Sequence, residues 1–125
     1  MTNLVIANAF SLQMLPQWRL SGVDSSTGDF SPVATHLRIT PVDPHAVLAE
    51  HGGAFESTVG HAETAALFSA LLEVEVAPRR VSVTLDEETA LLVGQYVGPR
   101  LPEGATALPE GARVLWLLVT MEDAA

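Results

Sequence analysis

A mixed sheet of about five strands flanked by helices, an α/β arrangement in one domain spanning residues 1–125, is the fold this sequence predicts. Three observations carry it. Apolar runs of strand length recur around Leu4–Ala7, Ala90–Val97 and Ala112–Met121. A helical period of three and four residues runs through Ala65, Phe68, Leu71 and Leu72. Stretches rich in Gly, Pro, Ser and Asp punctuate the chain, yet none is a linker that would divide it, and no internal repeat is visible.

In chain order, Asn3 to Phe10 reads as the first strand, buried on both faces in its middle. Asn8 and Ser11 at its C-terminal end are turn-forming hydrogen-bonders. They either cap the segment Leu12 to Leu15, which Pro16 stops, or meet a ligand, since ligands of open α/β sheets bind beyond the carboxyl ends of strands. Ser21 to Pro32 reads as a surface loop. Thr35 to Val42 alternates as a half-buried strand, and Pro41 marks it as an edge or a strand end. Asp43 as N-cap and Pro44 at the first position open a short helix to about Glu50, which Gly52-Gly53 ends.

The strongest helical pattern, about His61 to Leu72, comes after Gly60 and is preceded by Ser57 and Thr58, alternative capping or phosphate-contacting hydroxyls. His61 then stands in a first turn, where free N–H groups and the positive dipole end favour an anion such as phosphate. It is either a proton-transfer group or an ordinary helix-start residue packed on a loop. Arg79 to Leu85 and Ala90 to Val97 read as an antiparallel hairpin turning at Asp86-Glu87-Glu88-Thr89. Arg79 and Arg80 are further phosphate candidates, of which alternation lets at most one face a ligand. The Pro/Gly-punctuated loop 98–104 carries Arg100 and Glu103, and Ala112 to Met121 is too apolar for exposure on either face, so it belongs inside the sheet or at a subunit interface.

Composition narrows the function. Hydrophobic residues make up 48% of the chain, which argues for a real core and against disorder. A formal net charge of −9, with six arginines and no lysine, opposes a general grip on DNA or RNA but leaves room for a small phosphorylated ligand in a locally positive recess. With no cysteine, and with His36, His45, His51 and His61 lacking zinc-cluster spacing, neither disulfides nor a bound metal is expected. The beginning of the chain has no signal-peptide pattern and no window approaches a membrane span, so a soluble cytoplasmic protein is expected. There is no Walker loop, no G-x-G-x-x-G and no G-x-S-x-G.

Three separated motifs change the picture when taken together: Ala7-Asn8-Ala9-Phe10-Ser11-Leu12 with Met14-Leu15, then Gly60-His61-Ala62-Glu63-Thr64-Ala65, then Gln95 and after it Arg100-Leu101-Pro102-Glu103-Gly104. In this order they resemble the viral ring-nuclease family, anti-CRISPR proteins of archaeal viruses and phages that also occur in bacterial type III CRISPR loci. The similarity runs from Leu4 to Val119, with Ser21 to Glu56 unmatched, and the interval from Gln95 to Arg100 is a residue longer than the family's pattern. The resemblance implies a homodimer that binds cyclic tetra-adenylate across its twofold axis. It further implies cofactor-free, metal-free cleavage of that ring to linear di-adenylate with 2′,3′-cyclic phosphate ends. Carried over by motif, His61, Arg100 and Glu103 are the catalytic set, and Asn8, Ser11 and Gln95 contact the substrate.

The chemistry suits those residue types. In a 3′–5′ adenylate ring the nucleophile is the substrate's own 2′-OH, so the protein has only to align it, stabilise the phosphorane and protonate the departing 5′-oxygen. Arg100 is assigned to the phosphate, Glu103 to orienting Arg100 or His61, and His61 to the leaving oxygen. Two other readings stand beside this one: a module that sequesters the cyclic nucleotide uncut, and a structural protein whose apolar last strand builds an oligomer.

Overall fold

The first strand, β1 (Asn3–Ala7), buries its Leu, Val, Ile and Ala on both faces and ends where the chain turns at Asn8. A computed structural model describes residues 3–24, 26–102 and 104–122. After β1, a 3-10 turn (Leu12–Met14) leads into the short helix α1 (Gln17–Ser21). Next come β2 (His36–Pro41), α2 (Pro44–Glu50), the two-residue β3 (Glu56–Ser57), α3 (Ala62–Leu72), β4 (Thr89–Val97) and β5 (Arg113–Glu122). The strands form one sheet in the order β2-β5-β4-β1-β3. β1 pairs parallel with both β3 and β4, whereas β5 lies antiparallel to β4 and β2, so β5 alone runs against the others.

The two faces of the sheet carry separate cores. Leu4, Ile6, Ala90 and Leu92 turn to one face, where Val47 and Leu48 of α2 and Ala65, Phe68 and Leu72 of α3 cover them. Val5, Ala7, Leu91 and Val93 turn to the other, where Phe10, Met14, Leu15, Val83 and Leu85 lie across them. At Gly94 the Phe68 ring of α3 lies directly on the sheet backbone. A Cβ there would stand 2.6 Å from the Phe68 ring and 2.5 Å from the Trp116 ring, and those rings pack with centroids 4.9 Å apart. Only glycine leaves that pair its place.

The expected class holds: one mixed five-stranded sheet flanked by helices. β2 is an edge strand, as Pro41 suggested, and Asp43 caps α2 by accepting from the His45 N–H at 3.0 Å. β5 lies inside the sheet between β2 and β4. Residues 22–35 hold no strand among those described, only an isolated Val23–Phe30 bridge.

Two expectations are corrected. Arg79 to Leu85 is not a strand and makes no hairpin with β4. It leaves α3 along the outer side of β3, with Arg79 N–H on Val59 O at 2.7 Å, then crosses to the other face, where Leu85 N–H meets Met14 O at 2.6 Å. β4 is already paired on both sides, by β1 and β5, so no edge remains for a hairpin partner, and the acidic stretch instead caps the start of β4 through Asp86 Oδ1, which accepts from Glu88 N–H and Thr89 Oγ1. Ser57 and Thr58 do not cap α3 either. Ser57 donates to Ala77 O at 2.7 Å and Thr58 to Ile6 O at 3.2 Å, which binds the β3 region to its neighbours on both sides. β3 and α1 were not foreseen, being a strand of two residues and a helix of five.

Candidate functional site

Parallel strands deliver their carboxyl ends to one edge of the sheet, and at that edge the continuations of β1 and β3 diverge. The chain leaving β1 goes to one face through Phe10, Met14 and Leu15, while the chain leaving β3 goes to the other through α3. Between two adjacent strands whose continuations part in this way a crevice is left, the place where open α/β sheets bind ligands. Thr58 N–H, bonded to Ile6 O at 2.8 Å, keeps the two strands together up to its mouth.

His61 stands at that mouth as the N-cap of α3. Its backbone is extended (φ −117°, ψ 130°), its carbonyl accepts the first helical bond from Ala65 N–H at 2.9 Å, and its side chain makes no capping bond. The imidazole is therefore exposed and not engaged with the N–H groups of the first turn. It lines two open recesses at once. One, of about 550 Å³, is bounded by Asn8, Thr58, Gly60, Arg80 and Ser82; the other, of about 920 Å³, by Glu63, Thr64, Tyr96, Arg100 and Leu101. Both volumes lie in the range of ligand clefts, about 300–1,000 Å³.

Each recess holds one arginine. Arg80 Nε donates to Gly60 O at 3.1 Å, and its Cγ packs where a Cβ on Gly60 would be 3.3 Å away, so the guanidinium is held against the residue that precedes His61. Arg100 lies on the connection 98–112 between β4 and β5. Among the described residues the ion pairs are Arg19–Glu87 and Arg38–Glu122, and neither draws an arginine out of these recesses. Two side chains at an edge of an acidic molecule thus bring positive charge to either side of one imidazole, an arrangement suited to a phosphodiester. Among the described residues no group of three or more His, Cys, Asp or Glu could hold a metal ion, and no helix is long and apolar enough to cross a membrane.

Of the residues expected from the sequence, Asn8 and His61 share the first recess, and His61 and Arg100 the second. Ser11 lies in neither: it is exposed at the start of the 3-10 turn, where its carbonyl, not its hydroxyl, accepts from Met14 N–H. Gln95 is exposed and lines neither; the strand's alternation puts it on the face of Leu91 and Val93, away from α3. Glu103 lies outside the described residues. Arg80 is the member of the Arg79-Arg80 pair that reaches the site, decided by the Gly60 carbonyl. Tyr96 joins the second recess without having been foreseen, although the same alternation that turns Gln95 away could have found it.

The model of one protein family, described as STIV B116-like, matches residues 4–111 of the chain. Among solved structures, B116 of Sulfolobus turreted icosahedral virus superposes with a TM-score of 0.64 at 21% sequence identity, over 94% of this chain and 98% of that one. At that identity the likeness shows the fold. No curated protein matches the chain significantly.

Proposed function

The chain belongs to the STIV B116-like family, and from that premise we propose that it is a ring nuclease, a phosphodiesterase that opens cyclic tetra-adenylate and so switches off type III CRISPR signalling. The observation that carries this reading is the position of His61 between two recesses that each present an arginine. A backbone of adenylates laid across the crevice has one phosphate near Arg80 and the next near Arg100, with the imidazole between them. The substrate's 2′-oxygen attacks the adjacent phosphorus, the bond to the 5′-oxygen breaks, and a 2′,3′-cyclic phosphate forms. His61 gives its proton to the departing 5′-oxygen while the 2′-OH proton passes to solvent. Arg100 holds the non-bridging oxygens as their charge grows, and Asn8 hydrogen-bonds the ribose-phosphate from the end of β1. Glu103 keeps the role of orienting Arg100 or His61. Two linear di-adenylates require two such cuts, which a homodimer provides by presenting the site twice around the ring. The dimer reading is supported by exposed apolar side chains on β2 and β5, Ile39 at 53% and Leu115 at 39%.

The test is a turnover count in EDTA: labelled cyclic tetra-adenylate in hundredfold excess over protein, with the products separated by chromatography. Loss of many rings per protein, with di-adenylate cyclic phosphates appearing, is the expected result. Loss that stops at the protein concentration with the ring intact identifies a sequestering module, and no loss at all leaves a structural role.

A further inference from the structure

Arg100 is carried by a connection that has no secondary structure of its own among the described residues, so other contacts must set its position. The contacts that hold its first part are visible. Tyr96, near the end of β4, alternates onto the α3 face of the sheet, and its hydroxyl donates to the carbonyl of Pro99, the residue just before Arg100. Proline has a fixed φ and no N–H, so that carbonyl is the only main-chain polar group Pro99 can offer. Gly98 has φ +151°, and a Cβ on it would stand 2.7 Å from Ala112 Cβ and 2.8 Å from Ala112 Cα; the two ends of the connection touch there. The stem is thus closed at Gly98 and Ala112, the first turn is tied at Pro99, and Arg100 is the next residue out.

Resting on the reading of Arg100 as the cation that steadies the phosphate, we propose that Tyr96 is a positioning residue whose hydroxyl, bound to the Pro99 carbonyl, holds the loop so that Arg100 stands over the recess lined by His61. Tyr96 need not touch the reacting atoms. It removes in advance the disorder that Arg100 would otherwise lose when a phosphate binds, and preorganisation of this kind appears as affinity. Tyr96→Phe keeps the ring that lines the recess and deletes only the tether.

Two measurements test it. Trypsin cuts after arginine, and Arg100-Leu101 is a cleavable bond, so the initial rate of nicking there reports how often the loop opens. Tyr96→Phe should raise that rate about two- to tenfold, the range of one net hydrogen bond, while nicking after the other arginines and the Tm stay nearly unchanged. An unchanged rate at Arg100 overturns the tether. The second measurement is a double-mutant cycle on the affinity for cyclic tetra-adenylate, with Tyr96→Phe and Arg100→Ala alone and together. A residue acting through Arg100 weakens binding in the parent protein and has almost no further effect in Arg100→Ala; equal weakening in both backgrounds overturns the proposal. If the parent protein binds no ring, the ring-nuclease reading fails, and the trypsin rates still decide whether Tyr96 holds the loop.

Discussion

His61 and Arg100 face one recess from supports of opposite kinds. His61 stands where α3 begins, and the helix behind it is buried through Ala65, Leu67, Phe68 and Leu72 against the sheet. Beside it, Thr58 and Ser57 bind β3 to β1 and to residue 77, and Ser69 ties α3 to the returning chain by donating to Ala65 O and accepting from Val76 N–H, each at 2.8 Å. Arg100, by contrast, depends on a tyrosine hydroxyl, a glycine contact and a few turn bonds such as Ala105 N–H to Pro102 O. One half of the site is therefore placed by folding itself, whereas the other is held by contacts each worth a single weak interaction. Damage to the first should appear as lost stability, and damage to the second as lost affinity.

The largest effect should come from the rigid side. Phe68→Ala removes a fully buried ring from beneath α3 and its partner Trp116, at a cost of about 3–5 kcal/mol. For a domain of this size that lowers Tm by on the order of 10–20 °C in a melting curve recorded by circular dichroism. Next is Arg80→Ala combined with Arg100→Ala. Hydrogen bonds to charged groups contribute about 1.5–3 kcal/mol each, so affinity for cyclic tetra-adenylate should fall by about a hundredfold or more in a calorimetric titration, with the Tm little altered. A large fall in Tm there would break the distinction between the two supports. Smallest is Gly98→Ala, which pushes the stem off Ala112 and should weaken the ring's binding a few-fold through the loop alone, again read by titration.

The same division governs how far the sequence could be read. β4, β5 and α3 were legible because burial imposes a period on them, and α2 because Asp43, Pro44 and Gly52-Gly53 are local signals. The segment around Arg79 to Leu85 carries the alternation of a strand, Val81, Val83 and Leu85, but its partners are set by tertiary arrangement: β4 had already taken both neighbours. β3 was invisible because two residues have no period. That His61 and Asn8 would share a recess was legible because both adjoin elements the pattern reveals. Arg80 was left undecided between two neighbours because the choice hangs on one carbonyl, that of Gly60. Gln95 and Tyr96 sit side by side on one strand, and motif matching favoured the residue that alternation turns away from α3.

The most direct test of the central claim is single-turnover cleavage of labelled cyclic tetra-adenylate in EDTA by the parent protein and by His61→Ala, with binding of the intact ring measured in parallel. Loss of a general acid costs about 10²–10⁴-fold in rate, so the substituted protein should hold the ring with nearly unchanged affinity and cut it at least a hundred times more slowly. Cleavage at the parent rate by His61→Ala would contradict the account, because the imidazole between the two arginines would then have no part in the chemistry.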